Sequence, residues 1–364
     1  MTRRSFIQRA TVGAAAGAAA TIAAPALAQT GLPELRWRLT SGFPKSLDTI
    51  YGGAEELSRR VAQLTNNRFQ IRAFAAGEIV GAFQGIDAVQ AGTVEMAHTA
   101  SYYWVGKNPA LGFDTALPFG LNNRQQNAWL YHGGGMQLMA EIFREFNLVA
   151  FPAGNTGCQM GGWFRREIKS VDELKGLKMR IPGFGGRVFA ALGALPQQIP
   201  GGEIYQALER GTVDGAEFVG PYDDEKLGFF KVAKFYYAPG WWEPGATLST
   251  YVNQKSWDSL PAEYKAAIEV ASAEVNVKMM AEYDAKNPPA LQRLVNQGVQ
   301  LRQYSPDLLA AFRKAAFDIY AEEAGKSAQF KKVFDSWNAF RQNQVRWFRV
   351  AEAGIDNFAF AQRS

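Results

Sequence analysis

Cysteine and histidine are nearly missing: the 364 residues hold one cysteine, Cys158, and two histidines, His98 and His132. That scarcity excludes an internal disulfide, a zinc site of the usual Cys/His kind, a four-thiolate iron–sulfur cluster and a CxxCH haem attachment. Cys158 is then expected to be a small buried apolar filler. Any metal must be held by oxygen atoms, which favours Na⁺, Ca²⁺ or Mg²⁺. The formal charge of +5 is small and the Lys and Arg residues are dispersed, so a nucleic-acid groove is not expected. Catalytic signatures are scarce too. His132-Gly133-Gly134-Gly135 imitates an oxyanion-hole segment, but there is no GxSxG for it to serve. Gly183-Phe184-Gly185-Gly186 lacks a Walker lysine-serine pair and a full GxGxxG, and reads as a plain loop before a helix.

What is present begins with an export address. Arg3-Arg4-Ser5-Phe6 precedes an alanine-rich apolar run over 10–24 and the small-x-small signal Ala26-Leu27-Ala28. Residues 1–28 therefore read as a twin-arginine signal peptide, and the mature chain is expected to start at Gln29 in the periplasm. The run is too short and too rich in Ala and Gly for a membrane anchor. After cleavage 336 residues remain, enough for two lobes with their own cores.

A weak duplication organises those residues. Segment 88–97 (AVQAGTVEMA) matches segment 207–216 (ALERGTVDGA), 119 residues later. Each reads as a helix that ends at a glycine and a short apolar strand that follows. Each strand leads to a polar residue and then aromatics: His98 with Tyr102, Tyr103 and Trp104, or Glu217 with Phe218 and Tyr222. Ligands sit at strand ends in open α/β sheets, so the pattern predicts two lobes facing one cleft. Strands are predicted at 35–39, 69–73, 148–153 and 247–252, and helices at 47–64, capped by Ser46, and at 127–146. From 261 to 362 the chain reads mostly helical. The crossovers between lobes should act as a hinge.

Three polar residues fall at strand ends of the second lobe: Gln159, Arg180 and Glu217. A guanidinium grips a carboxylate with two parallel hydrogen bonds, which makes Arg180 the anchor for an anionic ligand. Glu217 would repel that anion unless a hard cation, also held by the Gln159 side-chain oxygen, sat between them. The ligand so described is a small 2-oxo or 2-hydroxy acid. A direct Arg180–Glu217 salt bridge is an equally good reading of the residues alone. Trp241-Trp242 and Tyr236-Tyr237 fit either core or cleft wall.

The stretches 154–168, 177–180 and 211–224 resemble the solute receptors of tripartite ATP-independent periplasmic (TRAP) transporters, in the branch that binds 2-oxo acids such as pyruvate. The likeness runs from Ser41-Gly42-Phe43-Pro44-Lys45 to the C-terminal helix. It implies an α/β, two-lobe periplasmic solute-binding-protein fold with a hinge, an interlobe cleft and a long C-terminal helix. The implied division is 29–155 plus 247–285 for one lobe, 156–246 plus 286–327 for the other, and 328–364 for the terminal helix. Arg180 would grip the carboxylate. Gln159, Glu217 and the main-chain carbonyl of Phe218 would hold sodium or calcium, with Glu243 a further candidate, and no organic cofactor is implied. Phe218 stands where tryptophan is common. Tyr103, Asn155, Trp241 and Trp242 complete the candidate pocket.

The resemblance also implies binding without turnover and delivery of the acid to a two-subunit membrane permease. The last helix, with Phe330, Val333, Phe334, Trp337, Phe340, Trp347 and Phe348, would exchange with a partner to form a homodimer; packing on its own second lobe is the alternative. Two other functions compete: the same receptor taking a 2-hydroxy acid such as lactate with calcium, and a secreted metal-dependent lyase or hydrolase using Glu217 as a general base.

Overall fold

The computed structural model describes residues 31–362, so the signal-peptide reading lies outside the described residues. The chain divides into a short N-terminal unit ending at Pro33 and a body from Glu34 onward. Within the described residues eleven strands follow in order: β1 (Leu35–Ser41), β2 (Phe69–Phe74), β3 (Met96–Thr99), β4 (Leu148–Asn155), β5 (Trp163–Phe164), β6 (Lys178–Arg180), β7 (Leu195–Gln197), β8 (Gly215–Ala216), β9 (Phe235–Ala238), β10 (Thr247–Asn253) and β11 (Gln300–Gln303). They make two sheets, ordered β2-β1-β3-β10-β4 and β11-β9-β5-β8-β6-β7. The first sheet is parallel through β2, β1 and β3, and β10 runs antiparallel to both β3 and β4. The predicted strand at 247–252 therefore does return to the first sheet.

The duplicated unit is a structural repeat. Helices Gly85–Gln90 and Ile204–Glu209 end at Gly92 and Gly211, with φ of +72° and +70°, a conformation that costs glycine little. The same amides then bond the same carbonyls: Gly92 to Val89 and Thr93 to Ala88 in one copy, Gly211 to Leu208 and Thr212 to Ala207 in the other. Even a side-chain bond recurs. Glu95 accepts from the Arg38 amide at 2.8 Å, and Asp214 from the Lys178 amide at 2.9 Å.

Two expected helices differ. The helix predicted from 47 begins at Gly52, with Tyr51 rather than Ser46 before it. Residues 44–51 instead turn tightly and bury Leu47 and Ile50 against the body. The helix predicted over 127–146 is two, Asn123–His132 and Gly135–Glu145, broken where Gly134 adopts φ +85°. The His132-Gly133-Gly134-Gly135 motif is that break.

The chain crosses between the sheets three times, through 156–162 and 239–246, which run side by side, and through the helical segment between β10 and β11. Thr156 N bonds Ala246 O at 3.0 Å, Gln159 N bonds Glu243 O at 3.2 Å, and Gly240 N bonds Gln159 O at 3.1 Å. Cys158 lies on this ribbon and is exposed, which corrects the buried-filler expectation: a crossover between sheets has solvent on one side. Helix Ala262–Asn296, about 50 Å long at 1.5 Å per residue, flanks both bodies. Tyr264 near its start stacks on Phe69 of the first sheet, and Arg293 near its end pairs with Glu225 after β8.

Candidate functional site

Register brings the key side chains together. Parallel strands β6 and β8 pair Arg180 with Ala216, so the carboxyl ends of both strands present Arg180 and Glu217 side by side. Both side chains are 1% exposed. Arg180 Nε donates to the Ile199 carbonyl at 2.9 Å, and Nη1 donates to the Glu217 carbonyl at 2.9 Å and to Glu217 Oε1. The direct salt bridge is thus formed. It leaves half of each fork over: Arg180 Nη2 and Glu217 Oε2 have no hydrogen-bond partner among the described residues.

The crossover ribbon adds two more such atoms. Gln159 Nε2 donates to Thr156 Oγ1 at 3.2 Å, while its Oε1 is unpartnered and buried. Glu243 on the opposite strand of the ribbon has a buried, unpartnered Oε2. Buried polar groups are normally hydrogen-bonded, and an orphaned one costs about 1–3 kcal/mol. Three oxygens and one guanidinium nitrogen left over in one neighbourhood form a donor set suited to a hard cation beside a carboxylate.

Charge points the same way. Burial raises the Glu217 pKa to about 7 against the opposing pull of Arg180. Burial, then the Glu217 charge, pushes Glu243 well up, with the Tyr102 hydroxyl and Gln159 amide working against it. Burial pulls Arg180 down, but Glu217, Tyr103, Tyr102 and Glu243 outweigh it and the net shift is upward. One guanidinium serves two buried carboxylates. The Trp242 indole favours the ionised form of Glu217, yet its N–H falls outside hydrogen-bond geometry.

These groups border a cavity of about 10 Å³, room for roughly one water molecule. Thr156, Gln159, Arg180 and Phe218 line its polar side, with the guanidinium 5.7 Å from the Phe218 ring centroid. Phe43, Ile50, Tyr102, Tyr103, Ala246 and Leu248 supply the opposite wall, all from the first sheet and the segments beside it. A larger open groove of about 820 Å³ beside Asn147, Asn253 and Asp258 gathers none of the orphaned atoms.

Gln159, Arg180, Phe218 and Tyr103 are therefore brought together, with Glu217 and Glu243 behind them. Asn155 and Trp241 are not brought to the cavity. Asn155 braces the start of the crossover, accepting from Gly157 N at 2.9 Å and donating to Thr247 Oγ1 at 3.2 Å. Trp241 stacks between Phe119 and Phe312 in the core. Sequence reasoning missed Ile50 and Leu248, which carry no motif, and Thr156, which lies within the resembling stretch 154–168; Tyr102 was signalled by the repeat. No group of three or more His, Cys, Asp or Glu side chains converges among the described residues, so a cation here relies on amide and main-chain oxygens as well.

Comparison with known proteins agrees with the geometry. Residues 40–326 match the model of the bacterial extracellular solute-binding proteins, family 7. A "monocarboxylate 2-oxoacid-binding periplasmic protein" of Nostoc sp. strain PCC 7120 is 53% identical over 99% of both chains. A TRAP transporter solute-binding protein of Bordetella bronchiseptica RB50, a mixed-occupancy dimer crystallised with calcium and picolinate, is 51% identical with a TM-score of 0.89, over 90% of this chain and 98% of that one. A TRAP periplasmic solute-binding protein of Pseudoalteromonas atlantica T6c, with bound sodium and pyruvate, is 38% identical with a TM-score of 0.87, over 91% of this chain and 100% of that one. The chain belongs to this family, the DctP-type extracellular solute-binding proteins.

Proposed function

We propose that the protein is the extracytoplasmic receptor of a TRAP transporter and binds a short 2-oxo acid of the pyruvate type together with Na⁺ or Ca²⁺. The observation that carries this is the set of buried, unpartnered atoms Arg180 Nη2, Glu217 Oε2, Gln159 Oε1 and Glu243 Oε2. Arg180 Nη2 takes one carboxylate oxygen of the acid. Gln159, Glu217, the Phe218 carbonyl and Glu243 hold the cation, which neutralises the second carboxylate and offers the acid's carboxylate and keto oxygens a shared positive centre. Phe218 and Tyr103 cover the acid and exclude water. The cavity is too small for a three-carbon acid, so admission requires the two sheets to part about the crossover ribbon.

The reading extends to place and partners. The leader directs folded protein through the twin-arginine route to the periplasm, where a two-subunit permease receives the acid. The acid leaves unchanged, in keeping with a family of solute-binding proteins. Two copies associate through their C-terminal helices, in keeping with the dimeric Bordetella relative.

Calorimetry on EDTA-dialysed protein tests the site. Pyruvate should bind stoichiometrically with calcium or sodium and negligibly without either, and Arg180→Lys should abolish binding because an ammonium cannot reproduce the fork. Tighter binding of lactate than pyruvate would move the assignment to 2-hydroxy acids. Consumption of the acid, followed by NMR, would replace receptor with enzyme.

A further inference from the structure

A second polar cluster ties the turns after β1 to the helix after β8, each close in sequence to residues that line the cavity. Asp48 lies in the turns after β1, two residues from Ile50 of the cavity wall. Tyr222 and Lys226 lie on helix Pro221–Leu227, shortly after Phe218 and Val219 of the facing wall. The Tyr222 hydroxyl donates to Asp48 Oδ2 at 2.9 Å, and Lys226 Nζ donates to Asp48 Oδ1. The Tyr222 ring sits between two ammonium groups, 4.4 Å from Lys226 Nζ and 4.5 Å from Lys286 Nζ. Lys286 Nζ is itself 3.7 Å from Asp48 Oδ2 and pairs with Glu282.

We propose that Asp48, Tyr222 and Lys226 form a latch that holds the receptor closed and sets how long a bound acid is retained. This rests on the ligand reading above. An isolated surface ion pair contributes little, but a network with shared partners and a fixed scaffold contributes more. Here the scaffold is fixed: the Tyr222 amide donates to Asn287 Oδ1 at 3.1 Å, and Arg293 grips Glu225 of the same helix through Nε at 3.0 Å and Nη2 at 2.6 Å. Because the latch joins segments that line opposite sides of the cavity, parting the walls breaks it. None of its three groups lines the cavity, so it acts on every acid alike. Gln198 Nε2 also ties the two walls, donating to the Tyr103 carbonyl at 3.2 Å, but that bond is neutral, so the salt response belongs to the charged latch.

Stopped-flow displacement of pyruvate, with calcium saturating, reads the latch. Asp48→Ala should speed dissociation roughly fivefold with association little changed, and Tyr222→Phe about twofold. The double variant should be no faster than Asp48→Ala, and the same factors should hold for a longer 2-oxo acid. Raising ionic strength should speed wild type and leave Asp48→Ala unmoved. A wild-type rate in Asp48→Ala, or additive effects in the double variant, overturns the latch. Small-angle scattering of ligand-free protein keeps this separate from the ligand assignment: Asp48→Ala should have the larger radius of gyration, and equal radii overturn the latch even if no acid binds. Asp48 is 54% exposed, so an unchanged circular dichroism spectrum is expected of the variant.

Discussion

At the scale of single residues, the body around β8 buries more acid than it neutralises. Glu217 and Glu243 share Arg180, while Asp223 and Asp224 lie on the next helix, fully covered. Asp224 is well served, accepting from the Trp163 indole at 2.9 Å and the Tyr236 hydroxyl at 2.7 Å. Asp223 accepts from Tyr283 at 2.6 Å and has its other oxygen unpartnered. Burial raises the Asp223 pKa to about 7, against an ordinary 3.8. The folded state therefore holds a proton that the unfolded chain releases between these values. Stability from this group is full at the acid end and is lost as pH rises through about 7. His98, buried with its pKa lowered to about 4, works the other way below its ordinary 6.5. Comparing variants cancels it: Asp223→Asn should melt a few degrees higher than wild type at pH 8, with the gain shrinking as pH falls and vanishing near the ordinary value of 3.8. Glu217→Gln tests the cation site. It should weaken calcium-dependent pyruvate binding by about 2–5 kcal/mol in calorimetry, because the cation loses its charged partner.

At the scale of elements, the crossover ribbon decides whether Gln159 and Glu243 face each other. A Cβ on Gly240 would lie 2.2 Å from the Gln159 carbonyl, so a side chain there forces the two crossovers apart. Gly240→Ala should cost about 1–3 kcal/mol in a denaturant melt and weaken pyruvate binding more than Gly325→Ala, which meets no neighbour and lies in a helix. The ribbon also marks the limit of what the sequence discloses. The repeat was legible because helix, glycine and strand leave local signals, and it placed Glu217 and Tyr102 at strand ends. Arg180 and Gln159 were legible as polar residues at strand ends of the second lobe, within stretches that resemble the TRAP receptors. Asn155 and Trp241 were assigned to the pocket but face a turn and the core, because only cross-chain packing, with Thr247 and Phe312, decides which way each points. Ile50 and Leu248 resemble any other core residue in sequence. The Ser46 cap failed because burying Leu47 in a turn outweighed one capping bond.

At the scale of the whole molecule, the terminal helix Ala328–Ala351 changes character along its length. Phe330, Val333 and Trp337 are buried against Phe113, Phe184 and Tyr320, so this half packs on its own chain, on residues from beyond the second lobe as well as within it. Its far half and the helix Ala353–Ala361 that follows expose Trp347, Val350, Ile355, Phe358 and Phe360, each more than half accessible. Arg124 fastens this end by an ion pair with Glu352 at 3.0 Å and by stacking on Phe348, so the apolar face is held in place rather than frayed. A fixed apolar face in water calls for a partner surface, and two-fold pairing lets each copy cover the other. Sedimentation velocity on the full-length mature protein should give a dimer at micromolar concentration. The double substitution Phe358→Glu/Phe360→Glu should give a monomer that binds pyruvate as wild type does, because no residue of the cavity lies on these helices. Trp337→Ala should behave in the opposite sense, keeping the dimer surface while losing about 3–5 kcal/mol of stability from the emptied core. A monomeric wild type would return the exposed face to the free surface of a single chain.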